Sequence, residues 1–212
     1  FDIPFLFNDE AEADAIMASE VGDYLNAKLE TKGIVNLAWN ENGFRELTNS
    51  KRAVATVDDV AGLKIRTMEN KFHQELWNSL GAAATPMSSN ELYTALEQGT
   101  VDGEENPIAN LYSYQFQEVQ DFITMSNHIY SPFLFDMSKQ IWDTYDQETQ
   151  DIVRKAAAAF GEEEKRVNRE AAAENLQSCI DDYGIEVTYL TDEAKQAFLD
   201  KPAHIHDIIA HD

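Results

Sequence analysis

Apolar positions along this chain alternate between helical and strand spacing. In NDEAEADAIMASEVGDYLNAKLETKG, residues 8–33, Ile16, Val21, Leu25 and Leu29 recur at helical intervals. Asn8 and the acids after it mark a start and Gly33 a stop, so the spacing predicts one helix. IVNLAW, residues 34–39, reads as a buried strand followed by a polar loop, NENGFRELTNSKR. VDDVAGLKIRT predicts a short turn and a second strand ending near Arg66. Asn70 is placed to cap a helix carrying Phe72, Leu76 and Leu80, with Gly81 at its stop.

In PMSSNELYTALEQG, Ser88 and Glu91 have capping-box spacing and Met87 and Leu92 that of a hydrophobic staple, predicting a helix from Ser89 to Gln98 closed by Gly99. DFITMS and PFLFDMS read as two further strands. From Asp146 to Tyr183 nothing breaks a helix before Gly184, giving an element of roughly 55 Å with a stripe of Val153, Ala156, Phe160, Val167, Ala171, Leu176 and Ile180. IEVTY, residues 185–189, is a last strand, and Thr191 caps a final helix interrupted by Pro202. Alternation of helix and strand makes the fold class α/β, and so long a helix is expected to cross between two lobes.

The chain has 212 residues, of which 43% are hydrophobic and 26% charged, enough to bury a sizeable core. No apolar run reaches the roughly 20 residues of a bilayer span, and FDIPFLFNDE lacks the basic start of a signal peptide, so a soluble chain is expected. Lys and Arg number 16 against 39 Asp and Glu, a formal charge of −23. That field repels phosphate backbones and anionic lipid, which speaks against nucleic-acid or membrane-surface partners. The single cysteine, Cys179, excludes an intrachain disulfide and any C-x-x-C motif, and is expected to pack as a small apolar group.

Few residue patterns carry chemistry. Arg66 falls at the carboxyl end of a strand and just ahead of a helix start, the place where open α/β sheets bind anions, and guanidinium matches a carboxylate bidentately. A surface arginine paired with one of the many acids is the plain alternative. FHQELW puts Trp77 where a zincin helix needs its second histidine, so His73 is read as an ordinary helix residue. HIHDIIAHD gathers His204, His206, Asp207, His211 and Asp212, a usable donor set, although histidines after Pro202 are more often solvated. VDGEEN lacks the order of an EF-hand loop, and Glu104 and Glu105, adjacent on one chain, do not make a facing glycosidase pair. No nucleotide or hydrolase fingerprint is present.

The ordered set GFRELTNSKRAV, DDVAGLKIRTMEN, LGAAATPMSSNELYTALEQGTVDGEENP and SNHIY resembles the solute-binding proteins of TRAP transporters, the DctP family, over nearly all 212 residues. The resemblance implies a two-lobed periplasmic-binding-protein-like fold, with residues 1–42 and 131–171 in one lobe and 43–130 and 172–212 in the other. It implies a monomeric periplasmic receptor, not an enzyme, needing no metal or cofactor, which closes around an organic acid and hands it to TRAP permease subunits in the membrane.

By the same resemblance Arg66, in K-I-R, is the carboxylate clamp, and Arg45, in G-F-R, a second arginine of the site. Asn106, in E-N-P, is a ligand hydrogen-bonding group with Glu105 beside it. Glu69 and Asn70 approach the ligand, and Ser89 stands where the family often has a bulky wall. Ser89, Met68 and Glu69 depart from the usual pattern and favour a hydroxylated monocarboxylate such as a sugar acid. A C4-dicarboxylate comes next and an amine-bearing acid third; from another class, a metal-dependent hydrolase is the alternative. Family members usually carry an αβ segment before the PFLF stretch, so the N-terminal part of one lobe is expected to be missing here.

Overall fold

The computed structural model describes the backbone of residues 1–211, and their side chains except those of 207 and 209–211. Elements follow in the order α1 (Glu10–Met17), α2 (Glu20–Glu30), β1 (Ile34–Asn49), α3 (Val57–Val60), β2 (Lys64–Thr67), α4 (Lys71–Ser79), β3 (Ala83–Pro86), α5 (Ser89–Glu97) and β4 (Gly103–Asn106). Then come α6 (Ile108–Ser113), β5 (Phe122–Ser138), α7 (Lys139–Trp142), α8 (Gln147–Asp181), β6 (Glu186–Tyr189), α9 (Asp192–Asp200) and α10 (His204–His211). The strands form one mixed sheet in the order β3-β2-β4-β1-β5-β6. Pairs β2·β3, β2·β4 and β5·β6 are parallel, and β1·β4 is antiparallel.

Four readings of the spacing need correction. The first expected helix is two, because Ser19 accepts a hydrogen bond from the Val21 amide and caps a new start, while Ala13, Met17 and Gly22 are buried rather than the expected stripe. The expected polar loop after IVNLAW is instead the second half of β1. Three of its polar side chains are buried with partners: Arg45 on Glu105, Glu46 on the amides of Ser126 and Asn127, and Thr48 on Gln120. A paired polar residue sits in a sheet as well as an apolar one. The two expected strands DFITMS and PFLFDMS are one, β5. Ser88 is the N-cap of α5 by position, but its side chain makes no capping hydrogen bond, so the expected capping box does not form.

Elsewhere residue and structure agree. Asn70 accepts hydrogen bonds from the amides of Phe72 and His73 at 2.9 and 3.4 Å, which fixes the first turn of α4. Asn70→Ala is expected to cost about 1 kcal/mol of stability, read from a denaturant melt. Thr191 caps α9, Pro202 lies between α9 and α10, and α8 runs unbroken for 35 residues.

The chain divides into two compact units, one of residues 1–6, 44–130 and 172–212, the other of 7–43 and 131–171. In the first unit one core cluster gathers Leu47, Ile65, Leu76, Trp77 and Phe198, and another Leu92, Val101, Leu111, Phe116, Ile123 and Cys179. The inner strands β2 and β4 are buried almost throughout, whereas the edge strands β3 and β6 are half-buried or exposed.

In the second unit α8 packs through small and charged residues besides its apolar stripe. An added Cβ at Gly161 would lie 3.1 Å from Ala38 Cβ, Lys165 meets Asp14 at 2.6 Å, and Arg169 reaches both Glu41 and Asp14. Phe160 and Val167, members of the expected stripe, are each 47% exposed. The stripe still packs in places, Leu176 against the second core cluster and Phe160 on the Phe135 ring at 4.8 Å, so the periodicity found part of the contact and missed the ion pairs and the glycine beside it.

Candidate functional site

Three parallel strands end at one level. Arg66 on β2 is in register with Thr85 on β3 and Glu104 on β4, so the residues beyond them, Met87, Asn70 and Asn106, follow the same carboxyl edge. Helices α4 and α5 start just past β2 and β3. This is the edge at which α/β sheets present ligand sites, with helix amides favouring negative charge.

Arg66 is only 4% exposed. Its Nε and Nη2 both donate to the Met87 carbonyl, at 2.9 and 2.6 Å, and among the described residues no carboxylate lies within 4.0 Å of its guanidinium. Burial works against its charge and lowers its pKa, opposed by the fields of Glu104 and Glu105.

Arg45 differs. It is 2% exposed and held by Glu105 through two parallel hydrogen bonds, from Nε to Oε2 and from Nη2 to Oε1, while Nη2 also donates to Asn106 Oδ1 at 3.1 Å. Burial disfavours its charge, but Glu105 outweighs that and raises its pKa. Glu105 is itself fully buried, yet Arg45 and His73 hold its carboxyl well below the usual range.

Two histidines complete the network. His73 Nδ1 faces Glu105 Oε1 at 3.2 Å and its Nε2 faces Asp2 Oδ1 at 3.1 Å. A ring between two carboxylates satisfies both by donating from both nitrogens, and the pKa of His73 is raised despite burial. His128 Nε2 faces Glu105 Oε2 at 3.1 Å, while its Nδ1 lies 2.8 Å from Ser126 Oγ, which can donate to it. Burial lowers the His128 pKa, in keeping with a neutral ring donating to Glu105 and accepting from Ser126. Arg45 and His73 then balance Glu105 and Asp2, and among the described residues Arg66 is the cation of this edge that makes no ion pair.

Of the residues expected in the site, Arg45, Glu105 and Asn106 are bonded to one another, and Arg66 lies on the neighbouring strand. Asn70 is half-buried with its side-chain oxygen given to the α4 cap. Glu69 and Ser89 are exposed. His73, His128, Asp2 and Glu104 were not read as site residues. SNHIY held the signal for His128, but the wiring of His73 and Asp2 depends on approach over a long sequence separation. The tail donor set is divided: His204 meets Glu75 at 2.9 Å, His206 meets the Pro4 carbonyl at 3.0 Å, and the side chains of Asp207 and His211 and all of Asp212 lie outside the described residues. Among the described residues no group of three or more His, Cys, Asp or Glu is arranged to hold a metal ion, and no helix is long and apolar enough to cross a membrane.

The carboxyl edge of this α/β sheet thus carries a buried arginine with no carboxylate within 4.0 Å among the described residues, the arrangement of an anion site. Sequence comparison then gives the family: residues 1–212 match the bacterial extracellular solute-binding proteins of family 7, DctP, and the chain belongs to that family, the substrate-binding receptors of TRAP transporters. The 2,3-diketo-L-gulonate-binding periplasmic protein YiaO of Escherichia coli is 40% identical over 202 residues, covering 94% of this chain and 60% of its own. The sugar acid binding protein of Advenella mimigardefordensis in complex with galactonate superposes with a TM-score of 0.90 at 37% identity, covering 99% of this chain and 67% of that one. A TRAP periplasmic solute-binding protein of Chromohalobacter salexigens with bound D-glucuronate gives a TM-score of 0.94 at 29% identity, covering 99% and 68%. The chain thus spans about three-fifths to two-thirds of the length of these proteins.

Proposed function

We propose that this protein is a periplasmic receptor that takes up a hydroxylated organic acid, of the sugar-acid class, and delivers it to a TRAP membrane permease. The observation that carries this reading is the unmatched charge of Arg66 in a chain with 39 Asp and Glu. A buried guanidinium without a counter-ion is unstable unless an anion completes it, and its free edge suits one carboxylate. Asn106, Asn70, Glu69 and Ser89, on the same strand ends and helix starts, offer donors and acceptors for hydroxyl groups. One uncompensated cation favours a monocarboxylate over a C4-dicarboxylate, whose second charge would meet Glu69. The two compact units are read as the two lobes of such a receptor.

Relatives similar to this chain bind diketo-gulonate, galactonate and glucuronate, which supports the same ligand class. Calorimetry and thermal shift with D-galactonate, D-glucuronate, succinate and the uncharged D-glucose test it. A sugar acid is expected to raise the melting temperature and to be recovered unchanged, with glucose inert. Tighter binding of succinate would turn the reading to a dicarboxylate receptor, and chemical conversion of the added acid would overturn it in favour of an enzyme.

A further inference from the structure

The receptor reading uses Arg66 but leaves its neighbour Glu104 without a task. Glu104 is fully buried on β4, stands opposite Arg66 across the parallel β2·β4 pair and opposite Thr48 across the antiparallel β1·β4 pair. Its oxygens meet Thr48 Oγ1 at 3.2 Å and the Asn106 side-chain amide. Among the described residues no cation lies within 4.0 Å of it. A carboxyl so placed avoids the cost of an unpaired buried charge by holding a proton.

The charged and titratable groups around it are already engaged, with one exception. From β1, Arg45 is held by Glu105, and Glu46 accepts from the amides of Ser126 and Asn127. From α4, His73 lies between Glu105 and Asp2; from β5, His128 faces Glu105, which is next to Glu104 on β4. Arg66 on β2 is the exception. Two neighbours in strand register, a cation and an acid that each make no ion pair among the described residues, form a pair that a proton can make or break.

We propose that Glu104 governs whether Arg66 can take an anion: as a neutral acid it leaves the guanidinium's charge to the ligand, and as a carboxylate it offsets that charge and repels the ligand's own. The inference rests on Arg66 being the ligand's anchor. Burial first, and the neighbouring charge of Glu105 with it, push the Glu104 titration up to about 7, within the range where the proton can respond to surroundings near neutrality. The sign is definite. Capture is strongest below that midpoint and weakens as the pH rises through it, and ligand binding in turn draws a proton onto Glu104.

Calorimetry with D-glucuronate and D-galactonate on the intact protein tests the switch. Between pH 6 and pH 8 the protonated share falls about tenfold, so the dissociation constant is expected to rise about tenfold in the wild type. In Glu104→Gln, which is permanently neutral, it is expected to stay flat. An equal slope in both proteins, or none in the wild type, would overturn the proposal.

A ligand-free measurement separates it from the receptor reading. In the wild type, the carbon-13 signal of the Glu104 carboxyl and the nitrogen-15 signal of Arg66 Nε are expected to titrate together near neutrality, with the Arg66 response lost in Glu104→Gln. Should neither acid bind at any pH while these signals co-titrate, the sugar-acid reading fails and with it the control of capture, and what stands is the proton coupling of Glu104 to Arg66. A carboxyl that titrates as an ordinary exposed glutamate, or an Arg66 signal indifferent to it, refutes the switch whatever binds.

Discussion

Glu105→Ala is expected to destabilise the fold by about 3–5 kcal/mol, because it removes the carboxylate that, among the described residues, alone pairs with Arg45 and so strands a buried guanidinium. His73 and His128 lose the same partner, and a cavity opens where four side chains converge. The isosteric Glu105→Gln tests charge apart from volume. It keeps the shape but not the charge, and is expected to lose most of the same stability in a urea melt near neutral pH. The pH dependence has a definite sign on each side. Glu105 has its carboxyl held well below the ordinary value of 4.5, so its contribution is present above that value and lost as the pH falls through the folded one. His73 is raised above its ordinary 6.5, so its contribution is full below that value and lost as the pH rises through the folded one. The stability gap between wild type and Glu105→Gln is therefore expected to be widest in between and to shrink at both ends. A gap under about 1 kcal/mol, the worth of a surface ion pair, would show that the network is not buried in solution.

Arg66→Ala is expected to behave in the opposite way. It should weaken sugar-acid binding by about 2–5 kcal/mol, or roughly 30-fold to several thousand-fold, as loss of a buried charged partner does. The fold should not suffer in proportion, because among the described residues no carboxylate forms an ion pair with Arg66, Glu104 beside it can hold a proton instead, and its two internal hydrogen bonds share one carbonyl. Arg66→Lys keeps the charge without the planar fork and should recover only part of the affinity. Calorimetry beside a thermal melt reads both quantities. Unchanged affinity would refute the anchor, and an equal loss of stability in the absence of ligand would make Arg66 a structural residue.

These two arginines show how far residue patterns reach. K-I-R at the end of a strand marked Arg66 through local signals, an apolar run before it and an Asn70 cap after it, and local signals survive folding. G-F-R marked Arg45 equally well, but nothing in the spacing told a ligand arginine from one held by Glu105, which lies 60 residues further on. VDGEEN carries no strand signal of its own, because acids are rare in buried strands, yet all four residues of β4 are buried. Their burial is possible only because Arg45, Thr48, His73 and His128 approach from outside the segment. The same reasoning applies to α8, whose length was evident from the absence of breakers while its packed face was decided by Asp14 and Glu41.

The sequence by itself determined the α/β alternation, the caps at Asn70 and Thr191, the unbroken α8, and the family, because each depends on neighbours within a few residues or on the order of motifs. The tertiary structure decided which charges cancel. Coulomb and desolvation energies depend on distance and burial rather than on chain order, so only the folded sheet could pair Arg45 with Glu105 and leave Arg66 beside Glu104.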